Sequence, residues 1–160
     1  MAISEKRKIG NYGEDLACGF LKEKGLYIAE RNYLRKWGEL DIIAFEKSGF
    51  LFKKLEKIHF VEVKTVSCEK KKGTNEQIIS NYLLSDNIHK WKVQRISRVL
   101  QTYFMEEKVS PETKWQFDII IVFINLKDMP IRHADIGIKD IPNRHAGKSY
   151  HVEYFKNVII

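Results

Sequence analysis

The chain has 160 residues, 44% of them hydrophobic and 31% charged, with a net charge of +7 and a pI of about 9.3. Two cysteines, Cys18 and Cys68, make neither a disulfide framework nor a zinc motif. The starting residues Met-Ala-Ile-Ser-Glu-Lys lack the long apolar stretch of a signal peptide, and no apolar run nears the ~20 residues of a membrane span. The length fits one domain, 1–160, with a core of ordinary size, and a soluble cytoplasmic protein is expected. The basic balance favours a polyanionic partner, because neutralising phosphates releases counterions. Basic residues gather at Lys6-Arg7-Lys8, Arg31 to Lys36, Lys53-Lys54, Lys70-Lys71-Lys72 and Lys90 to Arg98.

Ser4 is an expected N-cap, followed by Ile9, Tyr12, Leu16, Ala17 and Phe20 at helical spacing and by Gly25 as the closing residue. Gly10, Gly13 and Gly19 weaken this helix unless the backbone approaches something closely there. Leu26 to Asn32 and Leu40 to Phe45 read as strands, with Lys47-Ser48-Gly49 as a turn. Phe50 to Phe52 begins a return strand that the charged run Lys53 to Lys57 interrupts, and His59 to Val66 is a third clear strand. Residues 67–87 read as a long polar loop. Ile88 to Met105 is a second helix whose apolar face is Ile96, Val99, Leu100, Tyr103 and Phe104. Phe117 to Ile124 is apolar apart from Asp118 and reads as a central strand, and Tyr150 to Ile160 closes the chain as a short strand or helix. This order predicts an α/β or α+β domain on one mixed sheet flanked by helices.

The chemistry sits in Phe60-Val61-Glu62-Val63-Lys64 and Gly38-Glu39-Leu40-Asp41. Strand alternation puts Glu62 and Lys64 on one face. If the two strands pair, Asp41 and Glu62 converge, and two close carboxylates call for a cation between them. Magnesium suits such a site, and Lys64 can orient a water or stabilise charge on a phosphate. Glu14 is a third acid, either completing the metal shell or simply a solvated helical glutamate. Glu39 is close enough to Asp41 to compete as a ligand. Lys92, at the edge of its helix's apolar arc, joins Arg95 and Arg31 as the expected nucleic-acid contacts. The five histidines have no metal-ligand spacing and read as surface or loop residues.

These segments resemble the YraN-like family of small bacterial proteins, a branch of the PD-(D/E)XK, or restriction-endonuclease-like, superfamily. Archaeal Holliday-junction resolvases are similar at a greater distance. The matching pieces are Gly13-Glu14, Arg31-Asn32, Gly38-Glu39-Leu40-Asp41-Ile42-Ile43, Phe60-Val61-Glu62-Val63-Lys64-Thr65, Lys92, Phe117-Asp118 and Tyr154-Phe155-Lys156-Asn157. The resemblance implies a restriction-endonuclease-like fold, with Asp41, Glu62 and Glu14 around magnesium or manganese and Lys64 beside them. It implies hydrolysis of phosphodiesters in nucleic acid, DNA favoured over RNA, with branched or recombination-intermediate DNA as a candidate substrate. Related nucleases often dimerise to cut two strands, so a homodimer is compatible with it. Val66 and Gln116 stand where the family often has arginine. The alternative is a non-catalytic nucleic-acid-binding module that keeps the nuclease fold.

Overall fold

Helix α1 (Glu5–Glu23) begins and ends on the predicted signals. Ser4 is extended and its hydroxyl accepts from the Arg7 N–H. At the other end Leu26 N–H bonds to Leu21 C=O at 3.0 Å and Gly25 N–H to Lys22 C=O at 2.9 Å, with Gly25 at φ 83°. This Schellman closure requires a left-handed residue, which glycine supplies without a Cβ penalty.

The structure is a computed structural model that describes residues 4–49, 54–67, 90–125 and 150–158. The expected loop beyond Ser67, the segment Phe50 to Phe52, Cys68, His89, His133 and His145 lie outside the described residues, as does the side chain of Lys92.

The strands are β1 (Tyr27–Arg35), β2 (Gly38–Ser48), β3 (Lys54–Ser67), β4 (Lys114–Ile124) and β5 (Tyr150–Phe155), and the second described helix is α2 (Lys90–Glu106). They form one sheet in the order β1-β2-β3-β4-β5, antiparallel throughout except for the parallel β3–β4 pair. The fold is therefore α+β on a mixed sheet, as the element order implies.

Each helix covers one face. Leu16, Ala17 and Leu21 of α1 pack on Ile42, Val61, Ile120 and Val122. Ile96, Val99, Leu100 and Tyr103 of α2 pack on Tyr33, Ile43, Phe60 and Phe117. β4 lies between β3 and β5 and is buried from Gln116 to Ile124, so it is the central strand its apolar run predicts. Arg35 joins β1 to α2 through Glu106, with Nη2–Oε2 at 2.6 Å, and lies over the Tyr33 ring.

Two expectations change. β3 is one continuous strand from Lys54, although Lys54 to Lys57 reads as an interruption. Its charged start pairs with β2 down to Ser48↔Lys54, and exposed positions there alternate with partly covered ones, so ladder hydrogen bonds hold the strand where side-chain pattern is weak. His59 is not a surface or loop residue: it is 5% exposed, with Nδ1 2.8 Å from Asp118 Oδ2.

Of the three internal glycines of α1, Gly13 makes a close approach. A Cβ at Gly13 would stand 1.8 Å from Thr65 Oγ1, whereas Gly10 has open space. The helix thus crosses β3 one residue after Lys64. Gly13→Ala is expected to destabilise the protein by about 1–3 kcal/mol, the usual cost of overpacking, and Thr65→Ala in the same chain should recover part of it. Denaturant unfolding checks this, and a Gly13→Ala variant as stable as the parent contradicts the contact.

A candidate metal centre at the strand fork

The β2–β3 ladder runs from Ser48↔Lys54 to Ile42↔Val61 and stops there. β2 continues along β1 to Gly38, while β3 continues along β4 to Ser67. The two strands fork just where Asp41 and Glu62 stand, one register step past the last pair.

At the fork the Val63 N–H has no ladder partner on β2. The Asp41 carboxylate takes that place, with Oδ2 2.7 Å from the Val63 nitrogen. The Asp41 pKa is pushed up to about 7, by burial first and then by the Glu62 charge, with Glu14 and Glu39 adding to it and the Val63 bond opposing it. Four acids therefore share one electrostatic neighbourhood. Alternation places Glu62 and Lys64 on the side of Phe60, towards α2, while Val61 and Val63 face α1.

Glu14 reaches this neighbourhood from α1. Burial raises its pKa, and Arg31 and Asn32 pull it back down. Arg31 lies between carboxylates, with Nη1 2.7 Å from Asp15 Oδ1 and Nη2 3.5 Å from Glu14 Oε2. The predicted nucleic-acid contact Arg31 is thus an inward-facing counter-ion in this structure, and its Nε is buried without a hydrogen-bond partner. Asn32 adopts φ 52° inside β1, a left-handed conformation that asparagine tolerates. With its amide nitrogen turned to the acids it donates to Glu14 Oε2 at 3.2 Å and to Glu39 Oε1 at 3.1 Å.

The predicted residues Asp41, Glu62 and Glu14 are neighbours in charge. Among the described residues, however, no three His, Cys, Asp or Glu side chains are gathered closely enough to hold a metal ion. Arg95 is not at the fork; its Nε donates to Trp37 C=O at 2.9 Å, tying α2 to the β1–β2 turn. Asp15 and Asn32 were not expected as site residues from their types. The only sequence signal for Asn32 is its place in the Arg31-Asn32 piece of the resemblance; the register, Arg31↔Ile42 and Tyr33↔Leu40, is what sets it across from Asp41.

A second buried acid clarifies the first. Asp118 is fully buried and accepts from His59, from Tyr154 OH at 2.8 Å, from Gln116 Nε2 at 2.7 Å and from Asn157 N–H at 2.8 Å. Burial pushes its pKa up, yet these donors outweigh burial and hold it below the ordinary carboxylate range. Cys18 is buried against Leu16 and Ala17, and burial pushes its thiol up to about 11, which removes it as a nucleophile.

An acid-lined strand fork on an α+β sheet defines the class of domain. The model of the uncharacterised protein family UPF0102 matches residues 13–122, a span that includes Glu14, Asp41, Glu62, Lys64 and Asp118. A UPF0102 protein of Campylobacter jejuni subsp. doylei is 33% identical over 113 residues, 71% of this chain and 81% of its own length. UPF0102 proteins of Campylobacter lari and Caldicellulosiruptor saccharolyticus are 33% and 34% identical over 123 residues, covering 77% of this chain and 89% and 88% of theirs. The chain belongs to the UPF0102 family.

The raised pKa of Asp41 has a consequence for stability. In the unfolded chain an aspartate releases its proton near pH ~4, whereas in the fold Asp41 holds it up to about pH 7. The metal-free fold therefore binds the extra proton and loses stability as pH rises through that window. Asp41→Asn removes the charge and keeps an oxygen for the Val63 N–H. Without divalent ions at pH 8 it should melt higher than the parent by on the order of a few degrees, and the gap should close near pH 4. A lower melting temperature at pH 8 contradicts this.

Proposed function

We propose that this protein is a divalent-metal-dependent phosphodiesterase acting on nucleic acid, with DNA favoured over RNA. The observation that carries the reading is the pair Asp41 and Glu62, one step past the last β2–β3 pair, where the Glu62 charge bears on Asp41 and the Val63 N–H donates to Asp41. A proton on Asp41 is one way to relieve their repulsion, and a cation is the other. Carboxylate oxygens fit magnesium or manganese, which take few protein ligands and keep waters.

Asp41 and Glu62 would hold the ion, with Glu14 as a further carboxylate now drawn to Arg31. A bound ion would polarise a phosphate and lower the pKa of a coordinated water. The chain's own residues do the rest. The Val63 N–H fixes the Asp41 carboxylate in one orientation. Lys64 supplies positive charge on the Glu62 side, where it can bind the phosphate, stabilise its developing charge or orient the attacking water. Metal binding requires the Asp41 carboxylate and displaces its proton, so at sub-saturating metal activity should fall as pH drops below about 7, and more metal should move that fall to lower pH. The net charge of +7 suits a polyanionic substrate. Likeness to PD-(D/E)XK nucleases supports the same assignment, and branched DNA is a substrate to test first.

One observation favours the non-catalytic alternative. Glu14 and Asp15 are both engaged by Arg31, so the third carboxylate is partly withheld from any ion. Incubating the protein with single-stranded, duplex and branched DNA, in magnesium, manganese or chelator, decides between them. Metal-dependent cleavage is expected, falling at least ~100-fold in Asp41→Ala and in Lys64→Ala, the scale of losing one electrostatic stabiliser. Cleavage that survives both substitutions sinks the site. Salt-sensitive binding without any cleavage, unchanged in both variants, favours the binding module.

A further inference from the structure

The turn between β1 and β2 carries a feature that the metal site does not use. Trp37 is 37% exposed, a large aromatic left partly open in a turn. Three cations attend it. Lys36 Nζ is 5.2 Å from the ring centroid and Arg98 Cζ is 5.1 Å from it, while Arg95 Nε bonds to the Trp37 carbonyl. Lys36, Arg95 and Arg98 are all exposed. The turn is held rather than loose. Gly38 sits at φ 155°, a conformation that L side chains rarely adopt, and faces Val99 and Arg95 of α2. Trp37 is four residues before Asp41, roughly 13 Å along a strand, and it lies on the α2 side, where Glu62 and Lys64 also point.

We infer that Trp37 is a stacking platform for an unpaired base of a single-stranded nucleic-acid segment, with Lys36 and Arg98 taking the adjoining phosphates. This rests on the proposed action on nucleic acid and deepens it, by assigning the substrate a single-stranded or splayed segment beside the scissile bond. Aromatic rings joined with cations are the elements that bind such strands, since every base has a face to stack and every linkage a charge to pair. A purely structural lid would be satisfied by the present cation–ring contacts. The magnitudes favour exchange: an exposed cation–ring contact is worth about 2- to 5-fold in an equilibrium, and stacking one base about 5- to 150-fold in affinity. A base can therefore displace the Lys36 ammonium from the ring, and the ammonium gains a phosphate in return.

The test is binding, without divalent ions, so that it is independent of the metal centre. Fluorescence anisotropy compares a labelled oligothymidylate 12-mer, an oligouridylate of the same length and a 12-mer of abasic residues carrying the same phosphates. Wild type is expected to prefer the base-bearing strands. Trp37→Ala should weaken them about 5- to 150-fold, down to the abasic strand, while Trp37→Phe keeps most of the preference. Arg98→Ala should weaken all three alike and reduce the salt slope by about one. Wild type without preference for bases overturns the inference, as does Trp37→Ala that binds the strands as wild type does. If cleavage fails in the metal assay while the preference stands, the platform holds and the hydrolytic reading is the one that falls.

Discussion

The hydrogen bond from Val63 N–H to Asp41 closes the place where the sheet divides. A buried N–H with no partner costs about 1–3 kcal/mol, and β3 leaves one such donor facing a β2 that has turned away with β1. The Asp41 carboxylate removes that cost and is itself pulled into a half-buried setting across from Glu62. One bond thus ends the ladder, orients an acid and brings two like charges together. The rest of the site is arranged around it: Glu14 from α1, held off by Arg31 and Asn32, and Lys64 from the far arm of the fork.

The two inner aspartates show how differently one fold can treat the same side chain. Asp118 gathers four donors from β3, β4 and the chain's end, and its carboxylate is favoured despite full burial. It fastens the last segment to the sheet, together with the Val158 N–H to Phe117 C=O bond at 2.8 Å. Asp41 has one backbone donor and three neighbouring acids, and its carboxylate is disfavoured. A group satisfied by the protein reads as structural. A group that the protein leaves short of positive charge is where an external cation has most to offer.

Much of this was legible in the chain. Caps and period placed α1, period alone placed α2, and the apolar run at Phe117 to Ile124 marked the central strand. Alternation put Val61 and Val63 on one face, and both pack with α1. What escaped depends on partners far apart in sequence. His59 looked like a stray surface histidine because Asp118 and Tyr154, the groups that bury it, come from β4 and β5. Gln116 turns inward, linking Lys57 to Asp118 across strands that the sequence alone does not pair. Asn32 gave no sign of its left-handed backbone, and Arg31, grouped with the basic residues, is spoken for by Asp15 and Glu14. Pattern reveals which face a residue takes, and only three-dimensional pairing reveals whether a charge remains available to a ligand.

The claim on which the functional account stands is that Asp41 and Glu62 share one divalent ion. Crystals soaked in manganese and measured at a wavelength where manganese scatters anomalously test it directly. A single strong anomalous peak between the two carboxylates, lost in Asp41→Ala, is expected. A peak elsewhere with Asp41 and Glu62 turned apart, or no peak at a manganese concentration that saturates ordinary carboxylate sites, would contradict it.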